Sequence, residues 1–153
     1  MVDIDDTDRR LVDALLADGR ASANELAAEV GIATATATKR VGALEDAGVI
    51  EGYRPEIDYA AFGYDVTAVF NLDVRGDGLG AVVDELRATD AMVDVYEVTG
   101  AHDVVAIGKF TDTESLNATI KALLTDPDVR SVATSVVLDV VCEWDPFPAA
   151  DGE

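Results

Sequence analysis

The chain is poor in the residues that build metal centres, disulfides and nucleophilic active sites. Among 153 residues there is one cysteine, Cys142, one histidine, His102, and one tryptophan, Trp144. A lone cysteine excludes an intramolecular disulfide, and one imidazole beside one thiol leaves too few soft ligands for a zinc site. Bases are scarce as well. Eleven Lys and Arg face 31 Asp and Glu, for a net charge of −20, and only Lys39, Lys109 and Lys121 are lysines. No apolar run approaches the roughly 20 residues of a membrane span, and Met1-Val2-Asp3 opens on acid rather than on a signal peptide. The expectation is a cytoplasmic protein with no cofactor, no metal and no membrane partner. No nucleophile is paired with a base, and no glycine loop is spaced to cradle a phosphate.

What the chain does have is apolar periodicity, carried by 49% hydrophobic residues, enough for one large domain or two small ones. The clearest stretch is Ser22 to Ile50. Ser22 followed by Glu25 is a capping box, in which the hydroxyl takes one orphan N–H and the carboxylate reaches back to another. Leu26 and Val30 share one face, and Gly31 breaks the helix where a turn needs positive φ. A second helix from about Thr34 puts Ala37, Val41 and Leu44 on one stripe. Its other side carries Ala35, Thr36, Thr38, Lys39 and Gly42, with Arg40 on the flank. Two short helices around a glycine turn, the second small and hydroxyl-rich outside, predict a helix-turn-helix whose second helix enters a DNA major groove. A helical hairpin of no function is the plainer alternative.

The flanks complete a domain over residues 1–54. A leading helix is predicted from Asp6 to Ala17, with Leu11, Leu15 and Leu16 inward, Asp5, Asp6 and Asp8 at its start, and Gly19 closing it. After the second helix, Ala47 to Tyr53 reads as a glycine-terminated end, Leu44 and Val49 inward, followed by a short β ribbon. The order Glu25-Leu26-Ala27, Val30-Gly31, a short helix, then Leu44-Glu45, Gly48, Ile50 and Gly52-Tyr53 resembles the N-terminal half of the Lrp/AsnC family of prokaryotic transcription regulators. The resemblance implies double-stranded DNA as partner, contacted by Thr34, Ala35, Thr36, Thr38, Lys39, Arg40 and Arg54. Arg20 and Arg54 read equally well as solvated charges. Gly42, where many relatives carry a base, and Ala33, in place of a serine cap, imply weaker phosphate contact.

Residues 55–63 form a linker opened by Pro55, and residues 64–142 a second domain. Strands are expected at Tyr64–Val74, Met92–Val98, Asp103–Phe110 and Val129–Val141. Helices are expected at Gly78–Arg87, with Leu79, Val82, Val83 and Leu86 inward, and at Thr113–Leu124, with Leu116, Ile120, Leu123 and Leu124 inward. This β-α-β-β-α-β order is the ferredoxin-like plan, so the fold class is α+β: a winged helix-turn-helix followed by a ferredoxin-like domain. Two helices cover one sheet face. Val66, Ala68, Phe70, Val132, Val136 and Leu138 are expected on the other, which is then too apolar to stay open and predicts a homodimer packed sheet on sheet. The tail, 143–153, lies over a partner subunit or frays.

The second domain resembles the effector-binding domain of the same family, which extends the likeness to about residues 3–142. Thr99-Gly100-Ala101-His102-Asp103 matches the family's G-x-x-D loop, and Thr134 falls where the family lines the same site with threonine. By chemistry alone, turn N–H groups can hold a carboxylate and Asp103 an ammonium, so the loop suits an amino acid. An ordinary hairpin turn, with Asp103 satisfying its amides, accounts for the same residues. Val132 replaces a hydroxyl common among relatives and leaves the ligand's identity open. The resemblance implies a regulator, not an enzyme, with an amino-acid effector and assembly beyond the dimer. Two alternatives share the plan: an architectural DNA-binding protein without effector, and a siroheme decarboxylase subunit. The latter needs His and Arg around a polycarboxylate tetrapyrrole, and residues 55–153 hold one His and five bases. The acid excess runs through both halves with few lysines, and is similar to that of proteins from salt-in halophilic archaea, where molar salt screens self-repulsion.

Overall fold

The computed structural model describes residues 3–143, 145 and 147–149, and the chain divides into two compact units. The first joins residues up to Glu56 with the segment from Cys142 onward, and the second spans Ile57–Val141.

In the first unit α1 (Asp6–Ala17), α2 (Ala23–Val30) and α3 (Thr34–Asp46) pack around Leu11, Leu26, Ala27, Val30 and Ala37. Two capping boxes start α1 and α2: Asp5 with Asp8, and Ser22 with Glu25. Gly31 ends α2 at φ 77°, as a left-handed turn between the two helices requires. Three local expectations fail. Leu16 is 46% and Val49 39% exposed, so neither packs inward. Gly19 is not left-handed; Asp18 closes that turn instead, its Oδ1 accepting from Arg20 N at 2.9 Å. No strand forms over residues 51–58, so the expected β ribbon is absent. Tyr53 is tied back to α3 through a 2.8 Å hydrogen bond from its hydroxyl to Glu45. Ala149, in the tail, accepts from Arg9 at 3.0 Å and donates to Asp13 at 2.5 Å, so this part of the tail lies on α1 of its own chain. Trp144 and Pro146 lie outside the described residues.

The second unit opens with a 3-10 turn, Tyr59–Phe62, in what the sequence presents as linker. Then follow β1 (Val66–Val74), α4 (Leu79–Ala88), β2 (Met92–Glu97), β3 (Val104–Phe110), α5 (Thr113–Thr125) and β4 (Val129–Val136). The sheet order is β2-β3-β1-β4 with every neighbour antiparallel, the ferredoxin-like arrangement. Phe70 pairs with Ala106 and Thr134, and Val69 with Ile107 and Ser135. Since paired residues share a face, this register decides which side is covered.

The sides are the reverse of the expectation. Ala68, Phe70 and Leu72 are fully buried in the cluster formed with Val82 and Leu86 of α4 and Leu116 and Leu123 of α5. Val66 and Val132 pack against that cluster, and Val136, paired with Ala68, stands on the same side. The uncovered face is instead the odd set of β1 with its partners: Val69, Val105, Ile107 and Ala133 at the centre, among Thr67, Asn71, Asp73 and Ser135. Leu138 lies beyond the end of β4 and is 99% exposed. β4 stops at Val136 because β1 begins at Val66; the last link is Val137 N to Thr67 O at 2.8 Å. Leu124 is 56% exposed, off the inward stripe of α5.

Candidate functional site

The first candidate surface is the outer side of α3. The preceding turn presents it: Gly31 reverses the chain, and the helix starts at Ala33, which supplies no side-chain cap. Thr34, Ala35, Thr36, Thr38 and Lys39 are exposed, while Ala37 and Leu44 fix the buried side. The hydroxyl of Thr34 donates to Asn24 Oδ1 of α2 at 2.8 Å, and that of Thr38 to the Thr34 carbonyl at 3.1 Å. Thr36 and Lys39 have no side-chain partner among the described residues and are free to meet another molecule. Arg40 is placed differently, since its Nη1 is 2.8 Å from both Asp5 and Asp8. Arg20 and Arg54 are exposed. A row of small and hydroxyl side chains with one free base fits a groove lined by base edges and phosphates.

The second candidate is the loop between β2 and β3, which gathers five of the six residues expected to bind an effector. Thr99, Gly100 and Ala101 are exposed, with Gly100 at φ 123°, where a Cβ would be strained. Asp103 closes the loop from both sides. Its carbonyl accepts from Val98 N at 2.9 Å, its own N donates to Leu72 O at 3.0 Å, and Oδ2 accepts from Val74 N at 2.8 Å. One carboxylate oxygen thus ties the loop to the end of β1, rather than to amides of its own turn as the hairpin-turn reading expects, and the other makes no hydrogen bond among the described residues. His102 Nδ1 lies 2.9 Å from Asp73 Oδ1, and Ser131 donates to Asp73 Oδ2 at 2.5 Å. The Ser131 bond first, and then His102, hold the Asp73 carboxyl below the usual carboxylate range. Asp73 thus pins the loop to β1 and β4.

Thr134, the sixth residue, is not brought to this loop. It pairs with Phe70, on the helix-covered side, and its Oγ1 is buried without a hydrogen-bond partner. Asp73 and Ser131 are the residues that sequence reasoning misses. They are 58 positions apart and meet beside an irregularity in the β1–β4 register at Asp73 and Val74, which no local pattern marks.

Residues 4–51 match the winged helix-turn-helix DNA-binding family, and residues 67–146, more than half of the chain, match the Lrp/AsnC ligand binding domain. The chain belongs to the Lrp/AsnC family. This Lrp/AsnC chain is 32% identical to an HTH-type transcriptional regulator of Pyrococcus horikoshii, over 93% of its own length and 96% of the relative's. It is 33% identical to the HTH-type transcriptional regulator AldR of Mycobacterium tuberculosis, covering 90% of itself and 79% of AldR. The fold is shared with E. coli AsnC, at a TM-score of 0.84 and 24% identity over 93% of this chain and 97% of that one. It is shared equally with a transcriptional regulator from Neisseria meningitidis in complex with L-Met, at 0.87 and 22% over 92% and 94%. The protein is accordingly a DNA-binding transcription regulator whose second unit is a ligand-binding domain.

Proposed function

We propose that the ligand is an amino acid, bound at the loop Thr99–Asp103, and that its binding alters DNA binding or assembly. The observation that carries this is the pairing of opposite chemistries within one turn. Among the described residues the backbone N–H groups of Gly100 and Ala101 make no hydrogen bond, and Asp103 keeps one carboxylate oxygen uncommitted. The first can take a carboxylate and the second an ammonium, which together are the two ends of a zwitterion. The L-Met held by the Neisseria regulator of the same fold supports the class of ligand. Thr134 belongs to the reading through its unsatisfied hydroxyl, which a ligand or a neighbouring copy would complete.

The DNA-facing set is Thr34, Ala35, Thr36, Thr38 and Lys39 of α3, with Arg40 at its edge and Arg54 beyond it. The regulator has no catalytic step of its own and works as a homodimer or higher homo-oligomer, closed through the sheet face of Val69, Val105, Ile107 and Ala133. Its acid excess suits it to molar salt. The test is genome-wide footprinting at high KCl with and without a panel of amino acids. A set of protected sites that changes with one or a few of them supports the reading; protection indifferent to every amino acid contradicts the effector assignment. Sedimentation of the intact chain and of Ile107→Lys tests the dimer: the parent is expected to associate and the variant to fall to monomer.

A further inference from the structure

Arg40 stands next to Lys39 on α3, yet its guanidinium turns away from the exposed face. Nη1 donates to Asp5 Oδ2 and to Asp8 Oδ1, each at 2.8 Å. The two carboxylates are also engaged with one another's backbone. Asp5 Oδ1 accepts from Asp8 N at 2.9 Å, and Asp8 Oδ2 accepts from Asp5 N at 3.2 Å. Each acid thus divides its oxygens, one closing the start of α1 and the other holding α3. The site is sheltered on one side only: the side chains of Asp8 and Arg40 keep 11% and 33% of their surface, while that of Asp5 keeps 51%. Both N–H bonds of Nη1 are thereby committed, so another acceptor could reach this arginine only through Nη2 and Nε.

We infer that Arg40 is a positioning residue, held by Asp5 and Asp8 so that α3 keeps the rotation on α1 at which its exposed face meets DNA. The inference rests on the reading of α3 as the DNA-facing helix. That helix needs the restraint. Its buried residues are Ala37 and Leu44, with Val41 half-buried at the edge of the core, and so few small apolar contacts define a helix's rotation poorly. A charge-assisted contact on the flank, partly removed from water, adds direction where packing gives little. The acidic pair at the head of α1 is then part of the DNA-reading machinery, although by net charge alone it repels the duplex. This opposition of signs makes the inference testable.

The experiment uses the full chain and a duplex that the unaltered chain selects from a random-sequence library, with affinity measured over a KCl series. Asp8→Asn, Arg40→Met and their combination are compared with the parent, and circular dichroism confirms the fold at each point. Asp8→Asn should weaken binding about tenfold even though it removes a negative charge. Arg40→Met, which breaks the contacts to both acids, should weaken it at least as much, and the double variant no further than Arg40→Met, since the Arg40–Asp8 contact is lost in each. The slope of log affinity against log salt should match the parent's in all three, because no phosphate contact is lost. Asp5→Asn, which keeps a capping side chain, should act in the same direction and decides the matter if Asp8→Asn does not fold. Tighter binding by either Asn variant, or an Arg40→Met slope changed by roughly 0.9, overturns the inference and makes Arg40 a phosphate contact. If the unaltered chain selects no duplex, the reading of α3 itself has failed and the inference with it, a result visible before any variant is compared.

Discussion

The two units of this regulator are stabilised by different means. The core cluster of the first contains Leu11, Leu26, Ala27, Val30 and Ala37, of which two are alanines. That of the second contains eleven buried side chains, with Phe70 and Phe110 in edge contact 5.9 Å apart. What the first unit lacks in apolar volume it makes up in polar contacts near its surface: the boxes at Asp5 and Ser22, the Arg40 contact, and the Tyr53–Glu45 bond. The desolvated Tyr53 hydroxyl, with the Glu45 carboxylate beside it, titrates above the ordinary phenol range. Part of the stability of the DNA-facing unit is therefore electrostatic and responds to solution conditions. The ligand-binding unit rests on buried area, which responds to the shape of its core.

That contrast can be broken most severely from the second unit. Phe70→Ala should cost the sheet domain about 3–5 kcal/mol, since the ring is fully buried and the cavity cannot collapse against a strand paired on both sides. Denaturant unfolding followed by the near-ultraviolet signal should show this loss. A loss below about 1 kcal/mol would mean that the core is loosely packed. The corresponding weak point of the first unit is a cap. Ser22→Ala removes the hydroxyl bonded to Glu25 N and should cost about 1 kcal/mol, with α2 fraying first in amide exchange.

Acid should produce a smaller effect with a fixed sign. Asp5 is held below the usual carboxylate range by Asp8 N and then by Arg40, and Glu25 by its two bonds from Ser22. Asp73 and Asp112 in the second unit are lowered likewise, by Ser131 and Ser115 first. A folded-state value below the unfolded one gives stability that is complete above the unfolded value, about 4, and is lost as pH falls through the folded values. Helical signal should therefore hold from pH 8 to about 5 and decline below about 4, with the first unit preceding the second because its core is smaller. Loss beginning already at about pH 6 would contradict this account.

How much was legible follows the same division. Helix starts were readable because a cap is a local device: Ser22 and Glu25 are three residues apart and announce their own geometry. The loop at Gly100 was readable for the same reason. Sheet sidedness was not. β1 alternates clearly, but nothing within Val66–Val74 says which parity the helices will cover; the docking of Leu86 and Leu116 decides that Ala68 and Phe70 go inside. The apolar run from Val129 to Val141 reads as one long strand, yet its partner ends at Val66, so the run outlasts its pairing. Asp73 with Ser131, and Arg40 with Asp5 and Asp8, join residues far apart in sequence, and their meeting is a product of the fold.

The central proposal is that an acid-rich chain reads DNA through few basic side chains at high salt. The direct measurement is affinity for its selected duplex against KCl, with circular dichroism confirming the fold at every point. Ordinary binding falls steeply, because each neutralised phosphate releases about 0.9 counterions. Here the first 54 residues carry six bases, while the 20 acids of the remainder repel the duplex until screened. As the Debye length shortens from about 10 Å at 0.1 M to about 3 Å at 1 M, that distant repulsion fades before close contacts do. The prediction is binding that stays flat or rises between about 0.5 and 2 M KCl, while thermal stability increases over the same range. A steep monotonic loss of affinity by a chain that remains folded would contradict it.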